Sequence, residues 1–271
     1  MLSVSAVIAA LATSVSLLLH PFKSVVNVTT TEFAFAAPAS IPAGTTLFHF
    51  VNRGKELHHV AVIRLENGKT LADYTSAMKK PGPPPAWAVD AGGPNAAAPG
   101  HSADAILTLT PGNYLLVCFI PSPGEQAPHV MKGMVKALTV TPSANGSVEP
   151  KSDIDLTLSD YKFALSKPLT AGHHLLHVVN TAAQSHEFLL VKLAPGKTAA
   201  DVAKWVEAGM HGAPPGMPLG GTTQIARGRT ITVPVDLEEG RYGLICFIPD
   251  AKDGKPHSAH GMTETVTVGK A

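Results

Sequence analysis

The chain is poor in charge, in aromatic residues and above all in cysteine. Asp, Glu, Lys and Arg supply 15% of its 271 residues, aromatics 6%, and there are only two cysteines. The formal net charge is +1 with neutral histidines. No basic stripe offers phosphate contacts, so nucleic acid is not an expected partner. No G-x-S-x-G, H-E-x-x-H or C-x-x-C occurs, which removes the minimum parts of nucleophile-elbow hydrolase, zincin and thioredoxin-like chemistry. Gly68-Lys69-Thr70 and Gly196-Lys197-Thr198 imitate the end of a P-loop, but Ile63 and Val191 stand where its first glycine belongs. They read as turns followed by helix caps.

What the chain has in quantity is glycine, proline and short apolar runs. With 24 Gly, 23 Pro and 45% hydrophobic residues, it fits a turn-rich β protein. Val26-Asn27-Val28, Phe33-Ala34-Phe35, Leu47 to Val51, Val60 to Ile63, Ile106 to Leu109, Tyr114 to Phe119 and Val135 to Val140 are rich in β-branched and aromatic residues. Turns such as Pro42-Ala43-Gly44 and Pro111-Gly112-Asn113 separate them. The expected fold class is all-β, with Greek-key β-sandwiches. One short helix per unit is expected where Thr70 precedes Leu71 with Asp73 three positions on, and again at Thr198 and Asp201. The Gly/Pro-rich stretches that follow, Pro81 to Gly100 and Gly209 to Gly228, read as long loops, functional or mobile.

The same pattern occurs twice. Cys118 and Cys246 are 128 positions apart, and at that offset His58 maps onto His186, His129 onto His257 and Met134 onto Met262. Cys118-Phe119-Ile120-Pro121 repeats as Cys246-Phe247-Ile248-Pro249, with no insertion between the copies. Internal self-similarity at a fixed period means repeated structural units. The organisation read from it is residues 24–141 as a first domain, 142–151 as a Pro- and Gly-containing linker, and 152–268 as a second domain. Residues 1–23 hold an uncharged apolar run from Leu2 to Leu19. It reads as a secretory signal peptide, or, at its length, as an uncut membrane anchor. Either places the protein in the periplasm or another extracytoplasmic space.

Two imidazoles, a thiolate and a thioether suit copper in both of its oxidation states. The metal ligands expected are therefore His58, Cys118, His129 and Met134 in the first unit, and His186, Cys246, His257 and Met262 in the second. Copper keeps a ligand thiol deprotonated, and burial between Val117 and Phe119 should keep water from the Cys118 sulfur. Two cysteines in an exported chain ordinarily suggest a disulfide; here each sits at the end of its own core strand, which argues for two free thiols. Met131 competes with Met134 as axial ligand, but Ala259 occupies the position equivalent to Met131, so the repeat favours Met134. Met210, His211 and Met217 could form a weak soft-metal handle with no counterpart in the first unit.

Gly112-x-Tyr114-x-x-x-Cys118 and Gly240-x-Tyr242-x-x-x-Cys246, each followed by His-x4-Met, resemble the copper loop of the plastocyanin/azurin cupredoxins. Asn52-x5-His58 and Asn180-x5-His186 resemble that family's loop bearing the first histidine ligand. Together the copies cover nearly the whole mature chain. Ten residues separate each Cys from the next ligand His, a spacer closer to that of copper nitrite reductases than to that of plastocyanins. The residue after the first ligand His, usually Asn in the family, is His59 in one copy and Glu187 in the other, which puts in question the hydrogen bond that ties the ligand loops together.

The resemblance implies an exported blue-copper protein that binds one type 1 copper per domain and transfers single electrons between redox partner proteins, docking around His129 and His257. Alternatives are a copper-handling protein without a redox role and a metal-free scaffold. An enzyme is not expected, since the residues beside the cysteines are Val117, Phe119, Ile245 and Phe247 rather than the histidines that bridge to a substrate copper in copper oxidases and nitrite reductases. The exchange of His59 for Glu187 and of Lys132 for His260 predicts a lower potential for the second site, because a nearby carboxylate favours Cu(II).

Overall fold

A computed structural model describes residues 24–79 and 82–270. The apolar segment 1–23, read above as a signal peptide or anchor, lies outside the described residues. Among those described, no helix is long and apolar enough to cross a membrane.

The first unit runs through β1 (Val25–Thr31), β2 (Ala34–Ala36), β3 (Ser40–Asn52), β4 (Ala61–Leu65), α1 (Leu71–Met78), β5 (Ala88–Gly92), β6 (Ser102–Leu109), β7 (Gly112–Val117) and β8 (Val135–Ala144). The second runs through β9 (Ile154–Ser159), β10 (Lys162–Leu165), β11 (Gly172–Asn180), β12 (His186–Leu193), α2 (Ala199–Glu207), β13 (Gly216–Ile225), β14 (Thr230–Leu237), β15 (Gly240–Ile245) and β16 (Thr263–Val268). Each is a sandwich. In the first, β1, β3 and β6 face β8, β7, β4 and β5; in the second, β9, β11 and β14 face β16, β15, β12 and β13.

Alternation along the strands decides what faces inward. On β7, Tyr114 and Leu116 point into the main core while Leu115 and Val117 point outward beneath α1, against Ala61, Ile63, Leu65 and Tyr74. Cys118 continues the inward parity at the strand end and is fully buried. The second unit repeats this: Tyr242, Leu244 and Cys246 face in, and Ile245 faces out beneath α2 with Val202. Both helices start with a capping box. Thr70 accepts from the Asp73 amide and Thr198 from the Asp201 amide, while each aspartate bonds back to its cap. The repeated Gly-x-Tyr of each unit belongs to the scaffold: Tyr114 donates to the Thr110 carbonyl (2.9 Å) and Tyr242 to the Glu238 carbonyl (3.0 Å).

The long loops read from sequence are a finding of a different kind. Each contains a strand, β5 or β13, and these two strands lie side by side and join the units. Ile225 pairs with Ala91, Thr222 with Pro94 and Leu219 with Ala97. Pro94 and Thr222 are equivalent positions of the repeat, so the junction has local two-fold character: Thr223 donates to Gly93 O (2.9 Å) as Asn95 donates to Gly221 O (3.3 Å). On the opposite sheet Thr232 of β14 pairs with Ile106 of β6. Both sheets therefore continue across the chain, and one hydrophobic core takes residues from both units. Most of each strand's ladder lies within its own unit, β5 on β4 and β13 on β12, and these short Gly-containing runs show no local periodicity that announces them.

Glycine lets each junction segment lie close against its own unit, at Val60 and at Phe188. Gly93 and Gly221 have φ of +134° and +107°, and a Cβ on either would overlap a carbonyl oxygen, that of Val60 or Phe188. Gly221→Ala should therefore cost about 2 kcal/mol or more through clash and forbidden backbone geometry. Gly68→Ala, with positive φ but open space around it, should cost only about 1 kcal/mol. Urea unfolding of the two variants measures the difference; equal losses would show that the close approach of Gly221 to Phe188 is unimportant.

Candidate metal centre

In each unit three chain segments converge on the buried cysteine. The loop after β3 carries His58, and Asn52 organises it: its carboxamide donates to Glu56 O (2.7 Å) and Ala97 O (2.8 Å) and accepts from the Gly54 amide (2.9 Å). Asn180 does the same for the His186 loop through Gln184 O, Ile225 O and the Ala182 amide. The Asn-x5-His spacing is thus a loop-forming device. The second histidine starts a 3-10 turn, His129–Lys132 or His257–His260, closed by Gly133 or Gly261 in the left-handed region. The Cys118 amide donates to Met134 O (3.2 Å) and Val130 donates back to Cys118 O (2.8 Å), so strand end, turn and methionine form one hydrogen-bonded unit.

The structure brings together His58, Cys118 and His129, and likewise His186, Cys246 and His257; in each set the candidate ligand atoms lie within 4.8 Å of one another. The Cys118 sulfur is 3.9 Å from His58 Nδ1 and 3.5 Å from His129 Nδ1, and the two nitrogens are 3.1 Å apart. In the second set the sulfur is 3.8 Å from His186 Nδ1 and 3.4 Å from His257 Nδ1. An ion bonded at about 2 Å to nitrogen and about 2.3 Å to sulfur in a trigonal plane wants its ligand atoms about 3.5 Å apart. The residues present fit that demand. Met134 and Met262 are fully buried in the same core, whereas Met131 is 58% exposed, as surface rather than as a ligand. Both cysteines are free thiols. Met210 is buried and Met217 exposed, and His211 packs over Gly124 in the loop between Cys118 and His129.

Electrostatics favours neutral imidazoles and a thiol that ionises only with help. Burial, and then the neighbouring histidine, lowers His58 and His257 to about 4; His129 and His186 are also lowered, chiefly by burial. Burial pushes the Cys118 thiol up to about 12 and raises Cys246 as well. Such a thiol is inert unless a cation replaces its proton.

Beyond the ligands the two centres differ in ways the repeat conceals. In the first, His129 Nε2 donates to Glu56 (3.0 Å), which leaves Nδ1 free to face the sulfur. In the second it is the other histidine, His186, whose Nε2 meets a carboxylate, Asp160 (3.2 Å). Lys132 reaches Ser122 (2.7 Å) and Glu125 (2.7 Å) beside the first centre; the equivalent positions carry His260, Asp250 and Asp253, with Asp250 3.8 Å from His257 Nε2. None of these carboxylates stands in a motif, although Glu56 lies two residues before His58 and could have been suspected on that ground.

The tie between the ligand loops, put in question by His59 and Glu187, is present. The Phe119 amide donates to His59 Nε2 and the Phe247 amide to Glu187 Oε1, both at 2.8 Å. Different side chains perform one task because each offers an acceptor at the same place.

No protein-family model and no curated protein matches the chain. Solved structures similar to it include a dithionite-reduced auracyanin from Roseiflexus castenholzii, 20% identical over 45% of this chain and 98% of that one, with a TM-score of 0.31. A multicopper oxidase is 15% identical over 90% of this chain and 87% of its own (TM-score 0.26). A copper-containing nitrite reductase from Thermus scotoductus is 12% identical over 90% and 61% (TM-score 0.25). At these identities the likeness is one of fold. The chain is built as two cupredoxin-like β-sandwiches in tandem, each carrying one His, Cys, His set.

The expectation that the chain is not an enzyme is corrected. Solved structures that align with 90% of it include a multicopper oxidase and a copper-containing nitrite reductase. Val117, Phe119, Ile245 and Phe247 exclude only one way of wiring a second metal, through histidines beside the cysteine. They say nothing of a reactive site assembled elsewhere.

In the metal-free protein, histidines held neutral contribute stability that is complete above their ordinary pKa of about 6.5. It is lost as pH falls through the folded values of about 4 for His58 and His257 and about 3 for His59. Glu187, raised by burial to about 7, acts in the opposite sense, its contribution being lost as pH rises through that value. The lowered histidines outnumber it, so urea unfolding should show stability falling from pH 6.5 to pH 4, more steeply in Glu187→Gln. A flat profile over that range would contradict the burial argument.

Proposed function

We propose that both ligand sets hold copper as type 1 centres and that the chain passes single electrons between protein partners outside the cytoplasm. The observation that carries this reading is the double convergence of two imidazole nitrogens and one thiol on a dry, pre-formed site with a buried methionine beside it. His58, Cys118, His129 and Met134 would hold one ion, and His186, Cys246, His257 and Met262 the other. Bound copper would supply a one-electron couple whose Cu(I) and Cu(II) forms both accept such a geometry. The chain's own part is to keep the ligands fixed. Carboxylates set the tautomers of His129 and His186, backbone amides bond near the sulfur, and the apolar core excludes water. Partner docking next to the first centre would meet Glu56, Glu125, Lys132 and exposed Met131, a charged rim around an apolar point rather than a plain apolar patch. The reading keeps residues 24–141 and 152–268 as the two copper-binding domains, and 1–23 as the export or anchoring segment.

Copper-loaded protein should bind two ions per chain and absorb intensely in the visible through thiolate-to-copper charge transfer. Cys118→Ser should remove one ion and keep the band of the other. A pale complex would instead support copper storage or delivery, and one ion per fully loaded chain would sink the two-site claim.

The two centres should differ in potential, the second being lower. Glu187 stands where the first has neutral His59, and Asp250 and Asp253 stand where it has Ser122 and Glu125, the latter neutralised by Lys132. Redox titration of Cys118→Ser and Cys246→Ser measures each site alone. Glu187→Gln should narrow the gap, and equal potentials would show that these charges are outweighed.

A further inference from the structure

Glu187 is a carboxylic acid buried at the boundary between the two units, next to ligand His186. A buried carboxylate is costly unless its oxygens are bonded. One oxygen, Oε1, accepts from the Phe247 amide inside the second unit (2.8 Å). The other, Oε2, finds its partner in the first unit: the Asn95 carboxamide donates to it at 3.3 Å. The same nitrogen lies 3.0 Å from Thr222 O and 3.4 Å from Phe188 O, while Asn95 Oδ1 accepts from the Ala96 amide (2.8 Å). Asn95 is itself buried and has no freedom to leave.

The backbone that carries Asn95 is held from both sides. Val60 donates to Pro94 O (3.0 Å) and Ala97 to His58 O (3.0 Å), which fixes the segment to the first ligand loop; Asn95 donates to Gly221 O (3.3 Å), which fixes it to β13. Glu187 in turn straps its own centre, since its amide donates to the Cys246 sulfur (3.4 Å) while its carboxylate grips the amide that follows Cys246. We infer that Asn95, a residue of the first unit, is a positioning residue of the second metal centre, which is complete only when the first unit is docked against it. The dependence is one-way. Thr223, at the position equivalent to Asn95, spends its hydroxyl on Gly93 O (3.4 Å), and His59 needs no partner from the second unit to accept from Phe119.

The inference rests on the copper reading, and its test is arranged to separate the two. In full-length Cys118→Ser protein, only the Cys246 centre binds. There Asn95→Leu, which keeps the branched side-chain shape but removes the donor, should weaken copper(I) affinity in chelator competition by about tenfold or more, the usual effect of losing an outer-sphere partner. It should also shift the copper(II) charge-transfer band. On a Glu187→Ala background the same substitution should change neither, because its route to the metal has gone. Should Asn95→Leu fail to fold, Asn95→Ala carries the same expectation without overpacking. Unchanged affinity and band alongside a lowered unfolding midpoint would reduce Asn95 to a structural role and overturn the inference. An effect of equal size on the Glu187→Ala background would overturn it too. No copper bound by Cys118→Ser protein at all would overturn the copper reading at this centre and the inference with it.

Discussion

The architecture depends on closing two sheet edges against each other. A cupredoxin-like sandwich of this kind ends at β5 or β13, and an unpaired edge leaves a row of backbone donors and acceptors that must find partners. Here each edge supplies the other's partners, with Pro94 and Thr222 at the centre of the match. Gly92 lies against Ile225 and Gly220 against Ala103 across the match, and one hydrophobic core takes residues from both units. The contact that reaches a metal centre across the chain, Asn95 to Glu187, sits on that pairing.

Around each cysteine the scaffold does most of the chemical preparation before a metal is considered. Strand parity turns the thiol inward, burial keeps it protonated and dry, and the Asn-organised loop and the 3-10 turn carry the two imidazoles to it already neutral. If copper binds as proposed, a ligand set fixed in this way would change little between oxidation states, which would link the fold to the proposed one-electron role. The duplicated sites share this inner construction but are wrapped differently: Glu56 orients His129 in one, and Asp160 orients His186 in the other. Duplication therefore yields two centres with one donor set and two electrostatic surroundings.

Much of this was legible in the sequence because it depends on local, repeated chemistry. The period-2 runs gave most of the strands, Thr70 and Thr198 gave the helix caps, and the repeat separated Met134 from Met131 without any coordinates. Strands β5 and β13 were missed. Their Gly-containing segments carry no alternation of their own, and they become strands by pairing with β4 and β12, residues far off along the chain. The Glu56, Asp160 and Asp250 contacts were missed for a related reason: a carboxylate that orients a histidine does so by position in space, and its spacing along the chain need not repeat.

The sequence by itself determined which atoms could bind a metal and that there are two such sets, since identity and register of His, Cys, His and Met are properties of the chain alone. Tertiary structure decided how the two sets are joined and what surrounds each. Those features rest on hydrogen bonds between residues far apart in sequence: Phe119 to His59, Phe247 to Glu187, and Asn95 to Glu187 across the junction. Only packing brings such donors and acceptors within reach, and a buried polar group takes whichever partner the fold places there.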